Sequence, residues 1–139
     1  MKYAIRTCLL ALMMMLSFSV EARAEKLVKV DATAYTNPNN NLTYSGNPTV
    51  EGVTLGGKKE WIGERVILFY SDEDGSLGEL YGCMEFQDTG NGRASRKYPG
   101  KTDIETGETI DIYMEDYDDC IEWGRQEMYV LFLDEVEMI

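Results

Sequence analysis

Hydrophobic, β-branched and aromatic residues gather in five stretches of the chain, and polar stretches rich in turn-forming residues separate them. This distribution is typical of β-strands rather than of long amphipathic helices. The chain is therefore predicted to be mainly β. The five predicted strands cover residues 26–35, 64–70, 77–87, 108–114 and 127–134.

Local turn and capping signals add two features to these strands. The sequence Ser-Asp-Glu-Asp-Gly-Ser at residues 71–76 predicts a solvated turn, so that residues 64–87 form a hairpin. A short helix is predicted between Asp116, which can cap its first turn, and Gly124, which can adopt the left-handed conformation after its last turn. Its residues Cys120 and Ile121 are expected to face inward.

Two long segments, residues 36–63 and 89–107, lack a pattern that would form a core. The first is dense in Asn, Gly and Pro. Loops of this length in a small domain often bind ligands, and disorder is the simpler alternative.

The first 24 residues have the character of a secretory signal. Lys2 and Arg6 precede the apolar run 8–20, and Ala-Arg-Ala at 22–24 resembles a signal-peptidase site. The alternative is a membrane anchor, but the run is shorter than the roughly 20 residues that span a bilayer. We therefore expect an extracytoplasmic protein that begins at Glu25, no membrane association after cleavage, and one domain over residues 25–139.

Composition narrows the chemistry. The chain has 13 Lys and Arg against 25 Asp and Glu, a net charge of −12, and no His. Catalysis that uses imidazole and zinc sites with His ligands are thus excluded, and a nucleic-acid partner is not expected for so acidic a chain. Carboxylates are the abundant acids and bases, and they suffice for the cleavage of glycosidic bonds.

Cys83 and Cys120 are the two cysteines that follow the predicted signal. In an oxidising compartment they could form one disulfide, and two free buried thiols are the alternative. Because sequence does not give the separation of the two Cα atoms, both options stay open, and the bridge is our prediction.

Two carboxylates differ from the many that are expected at the surface. Asp88 ends a predicted strand, and Asp111 lies between Ile110 and Ile112 inside another. An ionisable group within an apolar strand costs free energy unless it is paired or functional. The alternative is that Asp111 occupies the solvent face, since side chains alternate along a strand.

Several short motifs, in their order along the chain, resemble the three-aspartate (3D) domain family. This family includes the catalytic part of a membrane-bound lytic transglycosylase and small stationary-phase survival proteins of the cell wall. The resemblance extends over nearly all of residues 25–139. It is carried by Ala-Thr-Ala-Tyr at 32–35, Asp-Thr-Gly at 88–90, Ile-Asp-Ile-Tyr at 110–113, Trp-Gly at 123–124 and the final strand 128–132.

The resemblance implies a six-stranded double-psi β-barrel that cleaves peptidoglycan between N-acetylmuramic acid and N-acetylglucosamine. Asp111 would be the acid and base, and Asp88 its partner, whose charge keeps Asp111 protonated. No cofactor or metal ion is expected. The residues implied to bind the glycan are Thr33, Tyr35, Thr36, Thr89, Gly90 and Tyr113.

The chain departs from the family pattern at one acid. Gly56 stands where the first family aspartate is expected, so that this acid is absent or replaced by Glu60 or Glu64. The linker between Asp88 and Asp111 is also expanded. These departures leave open a polysaccharide-binding module without catalysis, similar to expansins, and a secreted interaction domain with purely structural aspartates.

Overall fold

The computed structural model describes residues 27–133. Within this range, six strands form one sheet that closes in a ring, and one α-helix packs against it. The strands are β1 (Leu27–Tyr35), β2 (Thr54–Gly56), β3 (Arg65–Ser71), β4 (Leu77–Asp88), β5 (Thr109–Tyr113) and β6 (Gln126–Phe132), and the helix is α1 (Tyr117–Trp123).

Strand order around the ring is β1-β5-β2-β4-β3-β6. Two neighbouring pairs are parallel, β1 with β5 and β2 with β4, and the other neighbours are antiparallel. Strands that are neighbours in the ring are thus mostly distant in sequence. The exception is the β3–β4 hairpin, whose turn is closed by the Asp72 amide donating to the Ser76 carbonyl at 2.8 Å.

The structure confirms a mainly β chain, and the five predicted strands begin and end within two residues of the observed ones. The sixth strand, β2, lies in segment 36–63, for which no strand was predicted. Its three residues are fully buried between β4 and β5. A strand this short shows no periodicity of its own, because its neighbours rather than its sequence determine its conformation.

Alternating residues of the strands fill the interior of the ring. Val30 and Ala32 of β1 meet Ile110 and Ile112 of β5 there, and all four are at most 3% exposed. Trp61, in a 3₁₀ turn at Lys59–Trp61, packs against this core from one side. The core residues are Val30, Ala32, Leu55, Val66, Leu68, Met84, Phe86, Ile110, Ile112, Met128, Val130 and Phe132.

Helix α1 has the predicted ends. The Asp116 carboxylate accepts the Asp118 amide at 2.8 Å, and Gly124 follows the helix with a φ of 64°. Cys120 is buried, as predicted, but the prediction that Ile121 faces inward is wrong, because its side chain is 63% exposed. At the end of the helix the Trp123 indole donates to the Ala32 carbonyl at 3.0 Å, which ties α1 to β1.

The predicted disulfide is absent from the structure, in which Cys83 and Cys120 are both free. Cys83 is exposed on β4, where it pairs with Ile67 of β3, while Cys120 is buried on α1. Alternation explains the exposure: Met84 enters the core, so the preceding side chain points outward. The helix instead packs against β1, three places from β4 around the ring.

The predicted signal segment, residues 1–24, lies outside the described residues. Within residues 27–133, no helix is long and apolar enough to cross a bilayer.

Candidate functional site

Four residues from four adjacent strands form a row across the sheet. Strand register places Thr33 of β1 beside Asp111 of β5, and Asp111 beside Gly56 of β2. A bulge between Leu55 and Gly56 then brings Gly56 beside Asp88 of β4. The two aspartates that the sequence singled out are therefore separated in the sheet by a single strand, whose residue at this point has no side chain.

The row lies on the outer face of the ring. Ile110 and Ile112 are fully buried in the core, so the intervening Asp111 points to the other side of β5. The sequence analysis gave this position, on the solvent face of the strand, as the alternative for Asp111. Neighbouring groups nevertheless leave Asp111 only partly exposed.

Asp111 has one hydrogen-bond donor at close range. The Thr33 hydroxyl donates to its Oδ1 at 2.7 Å. Burial raises the pKa of Asp111, the Thr33 hydrogen bond opposes this effect, and the negative charges of Asp103 and Asp88 raise the pKa further. The balance lies above the ordinary aspartate value, which favours a carboxyl group that holds a proton.

Asp88 is held from both sides. Its Oδ1 accepts the backbone amides of Tyr44 at 3.1 Å and Thr89 at 3.0 Å, and its Oδ2 accepts the Tyr35 hydroxyl at 3.1 Å. Burial and the Asp88 charge raise the pKa of Tyr35, so that its hydroxyl remains a donor. The Tyr113 ring meets the Tyr35 ring edge to face, with centroids 5.7 Å apart. Asp88 thus has a fixed orientation.

Gly56 leaves an open position between the carboxylates. A Cβ atom at residue 56 would lie 3.4 Å from the Asp111 Cβ and 3.7 Å from the Asp88 carbonyl oxygen, which are ordinary contact distances. A Cβ atom would therefore fit at this position without displacing a neighbour, and this chain has none there. Glu60 in the 3₁₀ turn and Glu64 before β3 lie outside the row.

A third aspartate, Asp103, belongs to this surface and was missed by sequence reasoning. It is 6% exposed and accepts the Arg93 amide at 2.7 Å and the Thr109 hydroxyl at 2.9 Å. The Arg125 guanidinium forms two ion pairs, from Nη2 to Asp103 Oδ2 at 3.4 Å and from Nη1 to Asp31 Oδ2 at 3.0 Å. Burial raises the pKa of Asp103, but the hydrogen bonds and the Arg125 charge outweigh burial and lower it.

Asp103 matters to the row because its negative charge raises the pKa of Asp111. Thr109, which donates to Asp103, lies two residues before Asp111 on β5. One weak signal in the sequence points to Asp103: it precedes Ile104, an isolated apolar residue in a polar loop, and Ile104 is 2% exposed. A buried apolar residue in a loop marks a segment that packs on the fold, and its polar neighbours can then be fixed too.

A cavity of about 510 Å³ lies beside Tyr44, the residue whose backbone amide donates to the Oδ1 atom of Asp88. Thr89 and Gly90, both predicted to bind the glycan, line it. Thr36 follows the last residue of β1 and is only partly exposed. The other residues that line the cavity are Tyr44, Lys59, Glu60, Asn91, Thr102 and Glu105.

The structure brings together Asp111, Asp88, Thr33, Tyr35 and Tyr113 through direct contacts or adjacent positions in the sheet. Among residues 27–133, no group of three or more Cys, Asp or Glu side chains has the geometry to hold a metal ion. The chemistry that this arrangement can perform is proton transfer by one carboxyl group beside a second, oriented carboxylate.

No family model and no curated protein sequence matches this chain. Among solved structures, it is similar to MltA from E. coli, described as having a unique lytic transglycosylase fold, at 17% identity over 66% of this chain and with a TM-score of 0.43. An apo form of an E. coli MltA variant matches 69% of this chain at 15% identity, with a TM-score of 0.44. The matched part is 27% and 28% of those proteins, so the chain spans about a quarter of their length.

Proposed function

We propose that the protein is a peptidoglycan-active enzyme of the lytic transglycosylase type, with Asp111 as its acid and base. The observation that carries the proposal is the row in which Asp111 and Asp88 face the same side of the sheet across Gly56. Burial and the nearby negative charges raise the pKa of Asp111, which is the direction that favours the protonated form of a general acid. The motif order described above supports the choice of a glycan as substrate.

In the proposed reaction, Asp111 donates its proton to the glycosidic oxygen as the bond from this oxygen to the muramyl C1 breaks. The resulting carboxylate then accepts the proton of the muramyl C6 hydroxyl, whose oxygen bonds to C1. The products are a free sugar hydroxyl and a 1,6-anhydro end, and no water is consumed. Asp88 does not transfer a proton in this reaction, and its carboxylate favours the positive charge that develops at C1.

The proposal places the protein outside the cytoplasm after loss of residues 1–24, where peptidoglycan lies. It also assigns the ring to the double-psi β-barrels, an assignment that the two parallel pairs, β1–β5 and β2–β4, support.

Digestion of purified peptidoglycan tests the activity. We expect the protein to release muropeptides with anhydro ends, detected by mass spectrometry, and Asp111→Asn to release none. Asp88→Asn should retain partial activity, because it removes a charge and not the transferred proton. A fully active Asp111→Asn variant would overturn the assignment of Asp111.

Gly56 favours a second candidate, a polysaccharide-binding module without catalysis. The row lacks the acid that the family resemblance leads us to expect there, and a site with an open position can bind a glycan and leave it intact. Binding of intact peptidoglycan by a wild-type protein that releases no product would select this function.

A further inference from the structure

The cavity beside Tyr44 has the composition of a sugar-binding surface. Amide, hydroxyl and charged side chains line it together with one aromatic ring, Tyr44, which is 60% exposed. A pyranose has polar hydroxyl groups at its edge and apolar C–H groups on its faces, so it requires both kinds of contact. The cavity volume of about 510 Å³ falls within the usual range for small-molecule sites.

The turn that carries Tyr44 is fixed by hydrogen bonds to the end of β4. Ser45 donates its amide to the Gln87 carbonyl at 3.0 Å, and Asn47 donates to the Gln87 side chain at 2.6 Å. The Tyr44 amide donates to Asp88 itself. The turn is therefore organised before any ligand arrives, which lowers the entropic cost of binding.

The Tyr44 ring remains exposed although its backbone is fixed. The Lys59 ammonium lies 5.4 Å from the ring centroid, a distance that permits a cation–π contact. Lys59 thus lies over one face of the ring, and a sugar would stack on the other face. An aromatic ring with a defined position, largely open to solvent and next to the proposed partner carboxylate, is suited to stack against a sugar.

We propose that Tyr44 is the stacking platform of a saccharide subsite that extends the glycan site beyond Asp88, away from Asp111. This inference rests on the proposed function for its ligand, a pyranose unit of the same glycan strand. Thr89, Asn91 and Thr102 supply hydrogen-bonding groups to its hydroxyls from the walls of the cavity.

The test measures binding in the Asp111→Asn background, so that turnover does not remove the ligand. The probes are insoluble peptidoglycan, used in pull-down, and soluble β-1,4-linked N-acetylglucosamine oligomers, used in calorimetry. Tyr44→Ala should weaken binding of both about tenfold, because it removes the ring surface on which the sugar stacks; a tenfold loss corresponds to about 1.4 kcal/mol. Tyr44→Trp should retain binding, and its indole emission should change when the oligomer is added.

Tyr117→Ala is the matched control, because Tyr117 is 66% exposed at the start of α1 and does not line the cavity. This control should bind as its parent does. Equal binding by the parent and Tyr44→Ala would overturn the subsite while leaving the proposed function intact. Binding by a wild-type protein that cleaves nothing, with loss in Tyr44→Ala, would support the subsite and overturn the enzyme. A parent that binds neither probe would overturn both.

Discussion

Asp111 illustrates the conflict between function and stability at a single residue. Its pKa is raised above the unfolded value, so between these two pKa values the folded protein holds a proton that the unfolded chain releases. The stability that this group contributes is therefore complete below the unfolded pKa and is lost as the pH rises through the folded pKa. A proposed catalytic acid in this environment makes the fold less stable at neutral pH.

Asp111→Asn should therefore be thermally more stable than wild type at about pH 7. It should lose this advantage at about pH 3, where Asp111 is protonated in both the folded and the unfolded state. The amide oxygen can still accept the Thr33 hydroxyl, so the geometry is retained. Thermal midpoints measured at both pH values check the prediction. A midpoint difference that does not change with pH would contradict the raised pKa.

The two cysteines should differ in their reactivity toward thiol reagents. Cys83 is exposed, whereas burial and the charges of Asp111 and Asp119 raise the pKa of Cys120 and keep its thiol protonated. A maleimide reagent added without reductant should modify Cys83 in the folded protein and Cys120 only after denaturation. Mass spectrometry of the labelled peptides reads the result, and a protein in which neither thiol reacts before reduction would restore the disulfide.

Strand β2 ends at Gly56, which lies between the aspartates, and the next residue, Gly57, lies against the core. A Cβ atom at residue 57 would lie 2.7 Å from the Phe86 ring, whereas one at residue 56 meets only ordinary contacts. Gly57→Ala should thus destabilise the protein by about 1–3 kcal/mol through overpacking, and Gly56→Ala by less. Urea denaturation of the two neighbouring variants measures the difference.

Gly56→Ala should in turn affect the site, because its methyl group enters the position between the carboxylates. We expect reduced release of muropeptides from a protein of nearly wild-type stability. Equal unfolding free energies for Gly56→Ala and Gly57→Ala would show that Gly57 is not closely packed against Phe86.

The sequence predicts the elements whose information is local and fails where it is not. The β3–β4 hairpin and the Asp116 cap of α1 each depend on a few neighbouring residues, and both were predicted. Strand β2 was missed because the neighbours that define it, β4 and β5, are distant in the chain. Asp103 was missed for the same reason, since its partners Thr109 and Arg125 lie beyond the loop that carries it.

The site follows the same division. Asp88 and Asp111 were chosen from motifs, but their common row requires register across three strand pairs, which no local pattern encodes. The prediction for Ile121 failed for a different reason. Its apolar side chain suggested an inward face, but the seven-residue helix buries only Cys120.

Within residues 27–133, the acidic groups with shifted pKa values divide into two classes with opposite effects on stability. The pKa of Asp111 is raised mainly by burial and that of Asp119 mainly by the charge of Asp116, so both favour the folded state less as the pH rises. Hydrogen bonds lower the pKa of Asp103 despite its burial, and the Ser95 hydroxyl lowers that of Glu108. These two stabilise the fold above their unfolded values and lose this effect in acid.

The two classes act in different pH windows. For Asp111 and Asp119 the window lies above the unfolded aspartate value, whereas for Asp103 and Glu108 it lies below the unfolded values. The net charge of −12 adds repulsion that falls as carboxylates protonate. The free energy of unfolding should therefore rise as the pH is lowered from neutral, pass through a maximum in weak acid and then fall below about pH 4.

Urea denaturation at constant ionic strength, in steps from about pH 8 to about pH 3, gives this profile directly. In about 1 M NaCl the rise on the neutral side should flatten, because salt screens repulsion between exposed carboxylates, while the smaller contribution from partly buried Asp111 persists. Asp111→Asn should remove that remaining slope and leave the acid limb unchanged, since this limb belongs to acids whose pKa is lowered, among them Asp103, Glu108 and Asp74. A stability maximum at or above neutral pH would contradict this division of the acids into two classes.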